Sequence, residues 1–393
     1  MTSTTIINHI QLAFGHLSFF EQRYKVIPND NIKDNNMKIA LLNLPVDNNY
    51  GGNLQRYALM KVLENMGHDV THINLRRRIF LPWYKKPYSY TKRILQKLFL
   101  DKNINLNIEN ELNKQLMLSE KITDSFYYTY INHTDPCYNI HDVKKVARHY
   151  DSVIVGSDQV WRRDMAVSIP FEDYFLKFVK KGNKIAYAVS SGSEIINIDN
   201  INKYKKLYEN FSGVSVREKH LIDFFSNNGF NIPKPVLVLD PTLLLDKQYY
   251  FQLMNRNDVN HITKGKIYCY ILDLNTEIEE RIRDKANELG CDYIISGINN
   301  VNNTISIEQW LVNIYDAQFV FTDSYHGSIF SLIFHKKFIY CGNKRRGNKR
   351  IESLFNIFNI HETDRIDYVL FESIKQEMTD KSLNFLKTSI SNG

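Results

Sequence analysis

Between Lys266 and Tyr340 short apolar runs alternate with longer segments of helical spacing. The spacing predicts strands at 266–272, 293–295, 319–322 and 337–340, and helices at 277–289, 307–315 and 326–334. Strands separated by helices are satisfied by parallel sheets covered by those helices. The first half repeats the pattern, with strands at 38–43, 68–75, 151–156, 184–189 and 213–216 and helices at 54–66 and 140–150. Pro233 and Pro235 interrupt it. A chain of 393 residues is long enough for two full cores. The expected architecture is therefore α/β, two Rossmann-like domains with parallel sheets facing a cleft. The domains run over 37–235 and 236–393, and a last helix near 372–388 packs back on the first. Residues 1–36 read as an N-terminal extension ending in an Asn/Asp-rich linker.

Composition narrows the class. Hydrophobic content of 43% and charged content of 24% are those of a globular protein. No uncharged apolar stretch reaches the ~18 residues of a membrane span. No basic segment followed by an apolar one opens the chain, so a cytoplasmic protein is expected. Cys137, Cys269, Cys291 and Cys341 stand far apart without a Cys-x-x-Cys pair. Neither a disulfide framework nor a metal site is expected.

The net charge of +7 is unevenly placed. The window 76–100 holds eight Lys/Arg and no acid, interleaved with Phe80, Trp83, Tyr84, Tyr88, Tyr90 and Phe99. Basic and aromatic together suit an anionic membrane surface. A solvated insertion is the plain alternative. A nucleic-acid role is not expected, because no binding motif accompanies the patch.

Five places concentrate chemistry. The strand at 319–322 runs into Asp323 and Ser324, both good helix caps, and then Tyr325, His326 and Gly327. Such a junction aims backbone N–H groups and the positive helix end at one spot, which suits a phosphate or carboxylate. A titratable imidazole sits at the same spot. The loop from Asp47 to Asn53 carries Gly51 and Gly52, which allow close approach to the backbone. Asn49, Asn53 and Gln55 there are placed to meet a sugar or phosphate, or the loop is a simple glycine turn. Asp158 ends a strand, where open α/β sheets bind ligands, and is either a base, a hydroxyl binder or a turn residue. Arg217 ends another strand and either forks onto an anion or pairs with Glu218 or Asp223. The loop from Cys341 to Arg350 holds five cations, among them Lys344 and Arg350, and two glycines.

These motifs, in this order, resemble the polysaccharide pyruvyl transferase family. The resemblance rests on Asn49-Tyr50-Gly51-Gly52-Asn53, Val155-Gly156-Ser157-Asp158-Gln159-Val160-Trp161, Ser215-Val216-Arg217-Glu218, Leu239-Asp240-Pro241-Thr242 and Thr322-Asp323-Ser324-Tyr325-His326-Gly327. It implies a GT-B-like pair of domains and transfer of the enolpyruvyl unit of phosphoenolpyruvate to a sugar, giving a pyruvate ketal and phosphate. His326 and Arg217 match the family's histidine and arginine motifs. The chain departs from the pattern in residues 1–36, in the basic insertion, and in Lys349.

That reaction assigns roles. A donor with a carboxylate and a phosphate needs cations and oriented N–H groups: Arg217, Lys344, Arg350, and the helix start at Ser324, Tyr325 and Gly327. His326 is the expected general acid, and Asp158 orients or deprotonates an acceptor hydroxyl. Asn49, Gly51, Gly52, Asn53 and Gln55 form the expected acceptor side. Phosphoenolpyruvate is a co-substrate, and no separate cofactor is expected. Such ketals decorate bacterial capsules and exopolysaccharides. The expected acceptor is therefore a lipid-diphosphate-linked sugar, with the enzyme at the inner face of the cytoplasmic membrane. The rival readings are a GT-B glycosyltransferase using a nucleotide sugar and a non-catalytic carbohydrate-binding protein.

Overall fold

The computed structural model describes residues 36–99, 105–192, 195–256, 258–297, 305–343 and 348–392. The expected extension, up to residue 35, and Lys344 lie outside the described residues.

The chain opens with β1 (Lys38–Leu42), α1 (Tyr50–Asn65) and β2 (Asp69–His72). Three helices follow, α2 (Lys86–Phe99), α3 (Ile108–Tyr130) and α4 (Ile140–Ala147). Then come β3 (Ser152–Val155), β4 (Asn183–Val189), α5 (Ile201–Tyr208), β5 (Gly213–Val216), α6 (Lys219–Asn227) and β6 (Val236–Leu237). After α7 (Lys247–Met254) the second set runs β7 (Ile267–Tyr270), α8 (Thr276–Leu289), β8 (Tyr293–Ser296), α9 (Ile307–Asp316), β9 (Phe319–Thr322), α10 (Tyr325–Ile333) and β10 (Phe338–Tyr340). Helices α11 (Lys349–Ile357) and α12 (Tyr368–Ser391) close the chain.

Two parallel sheets result, in the orders β2-β1-β3-β4-β5-β6 and β10-β9-β7-β8. Their central strands read as continuous apolar runs because both faces are covered; β3, β7 and β9 are buried throughout. One core joins facing sides of the two sheets, with Ile39 and Leu41 of β1, Tyr268 of β7 and Val320 of β9 packed among α1, α9 and α10. Outer cores cover the opposite faces, around Trp161 on the first sheet and around Ile278 and Ile282 of α8 on the second.

Three expectations shift. Val236 and Leu237, expected to begin the second domain, pair in register with Ser215 and Val216 and form the edge of the first sheet. The proline pair precedes that edge strand rather than separating the sheets. The glycine loop closes earlier than expected. Asn49 caps α1 by accepting the Gly52 N–H, so Gly51, Gly52 and Asn53 lie in the first helical turn. The basic window is helical from Lys86 to Phe99, and α3 follows from Ile108.

The last helix, α12, lies against the first sheet. Asn183 Nδ2 donates to the Ser389 carbonyl at 2.7 Å, and the Leu239 N–H donates to Ser382 Oγ at 3.0 Å.

Each strand order reverses once. In the first sheet the reversal lies between β1 and β3, in the second between β7 and β9. Loops leaving the C-terminal ends of those strands diverge and leave a crevice, the usual ligand position in open α/β sheets. Both crevices open on the same cleft, of about 240 Å³.

Candidate active site

The first sheet contributes Asp47, Asn49 and Gly51 after β1, and Asp158 and Gln159 after β3. The second contributes Leu272 after β7 and Asp323 to His326 after β9, with Arg350 from α11. The residues after β9 are held by their own polar bonds. Ser324 Oγ caps α10 by accepting the Gly327 N–H at 3.3 Å. Asp323 accepts the Leu272 and Asp273 N–H groups at 2.7 and 2.9 Å, tying the β9 loop to the β7 loop. Gly327 has no Cβ because one would overlap Thr322 Oγ1, so the helix can start directly over the strand.

His326 is buried, with its ring against Gly51 of α1. A Cβ at position 51 would overlap the imidazole, so the glycine is what lets the first turn of α1 reach it. Nε2 of His326 has no hydrogen-bond partner among the described residues. Its nearest carboxylate oxygen in an ion-pair geometry is Asp240 Oδ2 at 3.8 Å. Burial lowers the imidazole pKa to about 4, with Arg217 and Arg350 pushing the same way and Asp240 and Asp158 opposing. The ring is therefore neutral near pH 7.

Beneath it lies an ion network. Arg217, buried at 2% exposure, donates to Asp240 Oδ2 at 2.5 Å, Asp158 Oδ1 at 3.2 Å and Glu218 Oε1 at 3.2 Å. Asp240 also accepts from Gln55 Nε2, and from the Thr242 N–H and hydroxyl at 3.1 and 2.7 Å. Burial works against the charge of both Asp240 and Asp158, but Arg217 holds each below the usual carboxylate range.

Residues 49–345 match the family described as polysaccharide pyruvyl transferase. The chain belongs to that family. Among solved structures, UDP-N-acetylglucosamine 2-epimerase from Rickettsia bellii has a similar chain course, with a TM-score of 0.47 and 9% identity over 90% of this chain and 97% of that one. The UDP-GlcNAc 2-epimerase from Neisseria meningitidis, bound to UDP-GlcNAc, gives 0.44 and 8% over 88% and 99%. No curated protein matches the sequence significantly.

In this pyruvyl transferase family member the residues singled out by sequence divide into two groups. Asn49, Gly51, Asp158, Ser324, Tyr325, His326 and Arg350 line the cleft. Gly52, Asn53, Gln55, Arg217 and Gly327 do not. Asn53 Nδ2 donates to the Asp47 and Asn49 carbonyls and its oxygen accepts from Arg56. Gln55 bonds Ser157 Oγ at 2.9 Å and Asp240, below the floor of the cleft. Arg217, expected on the donor, is forked instead onto three carboxylates of its own chain.

Arg350 is different. It is half-buried, and its Nε has no partner among the described residues. Both arginines pack on the Tyr325 ring, Arg217 at 4.7 Å and Arg350 at 5.5 Å from its centroid. Asp158 sits in the left-handed region, at φ 72°. That conformation is rare for a residue with a side chain and clusters at functional sites.

Sequence reasoning passed over several members of the site. Asp240 stands in the motif Leu239-Asp240-Pro241-Thr242, but an Asp before a Pro is also an ordinary turn, and nothing in the spacing points it at Arg217. Tyr270 and Trp310 form an aromatic wall with Tyr50, with centroids 5.2 to 6.1 Å apart. They read as core residues of a strand and a helix, and nothing in their spacing marks the face that meets the cleft.

Proposed function

We propose that the chain transfers the enolpyruvyl unit of phosphoenolpyruvate to two hydroxyls of a hexose, forming a pyruvate ketal and releasing phosphate. The observation that carries this is a pair of buried nitrogens with no hydrogen-bond partner among the described residues, Nε2 of His326 and Nε of Arg350, in one cleft. A buried polar atom without a partner costs about 1–3 kcal/mol, so such atoms point to a ligand that satisfies them. A small molecule with two anionic groups suits Arg350 and the start of α10.

The chemistry follows from those positions. The donor's C3 takes a proton, which leaves cationic character at C2. An acceptor hydroxyl attacks C2, the C2–O bond to phosphate breaks, and a second hydroxyl closes the ketal. One hydroxyl proton ends on C3 in the balance and the other on phosphate. His326 is the general acid. Its ring is neutral in the free protein, so the imidazole takes up its proton from solvent as the donor binds, because the donor's charge raises the imidazole pKa. Asp158, held ionised by Arg217, orients and accepts the acceptor proton. Arg217 and Asp240 position these two groups without touching the donor. Tyr270 and Trp310 offer an aromatic face to the sugar ring. The acceptor is a hexose of a surface-polysaccharide precursor carried on a lipid diphosphate.

The test is incubation with phosphoenolpyruvate and galactosyl, glucosyl and N-acetylmannosaminyl acceptors, reading phosphate release and the mass of the product. Acceptor-dependent phosphate and a product heavier by a pyruvyl group support the reading. Transfer of a sugar from a nucleotide sugar, with no use of phosphoenolpyruvate, overturns it.

A further inference from the structure

The basic window has two populations of cations. Arg76 is buried and pairs with Asp124 at 2.7 Å and Glu120 at 3.3 Å. Arg78 pairs with Glu120 at 2.7 Å, and Arg93 with Glu109. All three partners lie on α3, so these arginines fasten the insertion to the protein. Arg77, Lys85, Lys86, Lys92 and Lys97 are exposed and make no ion pair among the described residues.

Helix α2 is turned the wrong way round for an ordinary surface helix. Its half-buried residues, Ser89, Tyr90, Arg93 and Gln96, share the side that meets α3; Arg93 reaches the Leu106 carbonyl and Glu109 there. The opposite side, at spacings of three and four, carries Tyr88, Leu95 and Leu98, flanked by Ile94 and Phe99. No residue of α2 is buried. Tyr88 is 73% exposed, Leu98 71%, Phe99 78%, and Trp83 just ahead of the helix 82%. A surface helix normally turns its apolar stripe inward. This one packs its polar side and shows solvent the apolar one. Among the described residues no helix is long and apolar enough to cross a membrane.

We propose that this face, Trp83 to Phe99 with its unpaired lysines, seats on a bilayer surface rich in anionic headgroups. The stripe enters the interface while Lys85 and Lys92, at its border, meet the lipid charge, and Lys86 and Lys97 add to the positive field from farther round the helix. The complementarity argues for lipid over a second copy of the chain, which would bring two copies of the same five cations together. The seat is connected to the cleft: Thr123 Oγ1 of α3 donates to the carbonyl of Asp47, a cleft residue, at 2.8 Å. The inference rests on this surface and not on the reaction.

The experiment is binding of the full chain to phosphatidylcholine vesicles with and without phosphatidylglycerol, by cosedimentation and by tryptophan fluorescence. Trp161 and Trp310 are fully buried, so a change in emission reports Trp83. Binding that needs phosphatidylglycerol, weakens with salt and shifts the emission to the blue is expected. Each Lys→Gln change in the set should cost roughly fivefold in affinity. The Leu98→Gln/Phe99→Gln variant should lose on the order of tenfold or more, with an unchanged unfolding midpoint because both side chains are exposed. Equal binding to neutral vesicles, variants that bind like the wild type, or an unchanged emission overturn the proposal. So does a dimer that the apolar variant dissolves while vesicles are ignored, or binding to an oligonucleotide in place of vesicles.

Discussion

Arg217 and Arg350 press on the same tyrosine ring from different elements, and their circumstances are opposite. Arg217 follows β5 and is wholly occupied by Asp240, Asp158 and Glu218. Arg350, in α11, keeps a buried Nε unmatched among the described residues. One is spent within the site, and the other is the cation we propose for the donor. The difference teaches that a cation in a motif is not thereby a binding cation; what matters is how many carboxylates the fold brings to it. Burying a paired arginine gains little net stability, but removing one member leaves the other charges uncompensated.

The comparison can be broken at several points. The largest effect is expected from His326→Gln, which removes the proposed acid and should lower phosphate release by about 10²–10⁴-fold with little change in unfolding. Full activity in that variant would take the imidazole out of the chemistry. Next comes Arg217→Gln, expected to cost about 3–5 kcal/mol of stability in urea unfolding, because three carboxylates lose their partner. An unchanged midpoint would show that Arg217 is not the organiser described here. Arg350→Gln should do the reverse: kcat/KM for phosphoenolpyruvate falls by about 10²–10³-fold while the midpoint stays in place. Equal effects of the two arginine changes on stability would erase the distinction. Gly51→Ala, which sets a methyl against the His326 ring, should reduce activity by up to about a hundredfold in a folded protein.

A smaller effect sharpens the electrostatic side. With the free imidazole at about 4, its protonated form declines as pH rises above that value. kcat/KM, which reports the free protein, should therefore fall as pH increases across the neutral range. The matching limb of kcat should lie at higher pH, because the bound donor stabilises the imidazolium. Donor binding should take up protons, measurable as a dependence of the calorimetric enthalpy on the buffer. Binding without proton uptake near neutrality would contradict the proposed loading of His326.

Much of the fold was legible because parallel strands buried on both faces write themselves as apolar runs. β5 and β9 have the bounds expected for them, and the cap at Ser324 stands where the sequence put the turn. The division of the halves was not legible. Val236 and Leu237 form too short an edge strand to outweigh the prolines before them. The helical nature of the basic window was also hidden, since its apolar stripe faces outward and its charges and aromatics suggested only a membrane-surface segment or a solvated insertion. Position along the chain picks out His326, Asp158 and Arg350, which the fold brings to one cleft. It assigned Asn53 and Gln55 to the acceptor because polar side chains near glycines look available. Only the folded structure shows their hydrogen bonds already made within the chain.

The contact between Gly51 and His326 joins an element of the first sheet to one of the second with nothing but a hydrogen atom to spare. The imidazole is thus clamped in orientation by the distance between the two sheets. If the sheets spread by even the width of a methyl group, the ring would gain room to rotate and Nε2 would no longer hold its bearing. The relaxation of that single side chain in a magnetic resonance experiment is then a gauge of how far apart the two halves stand.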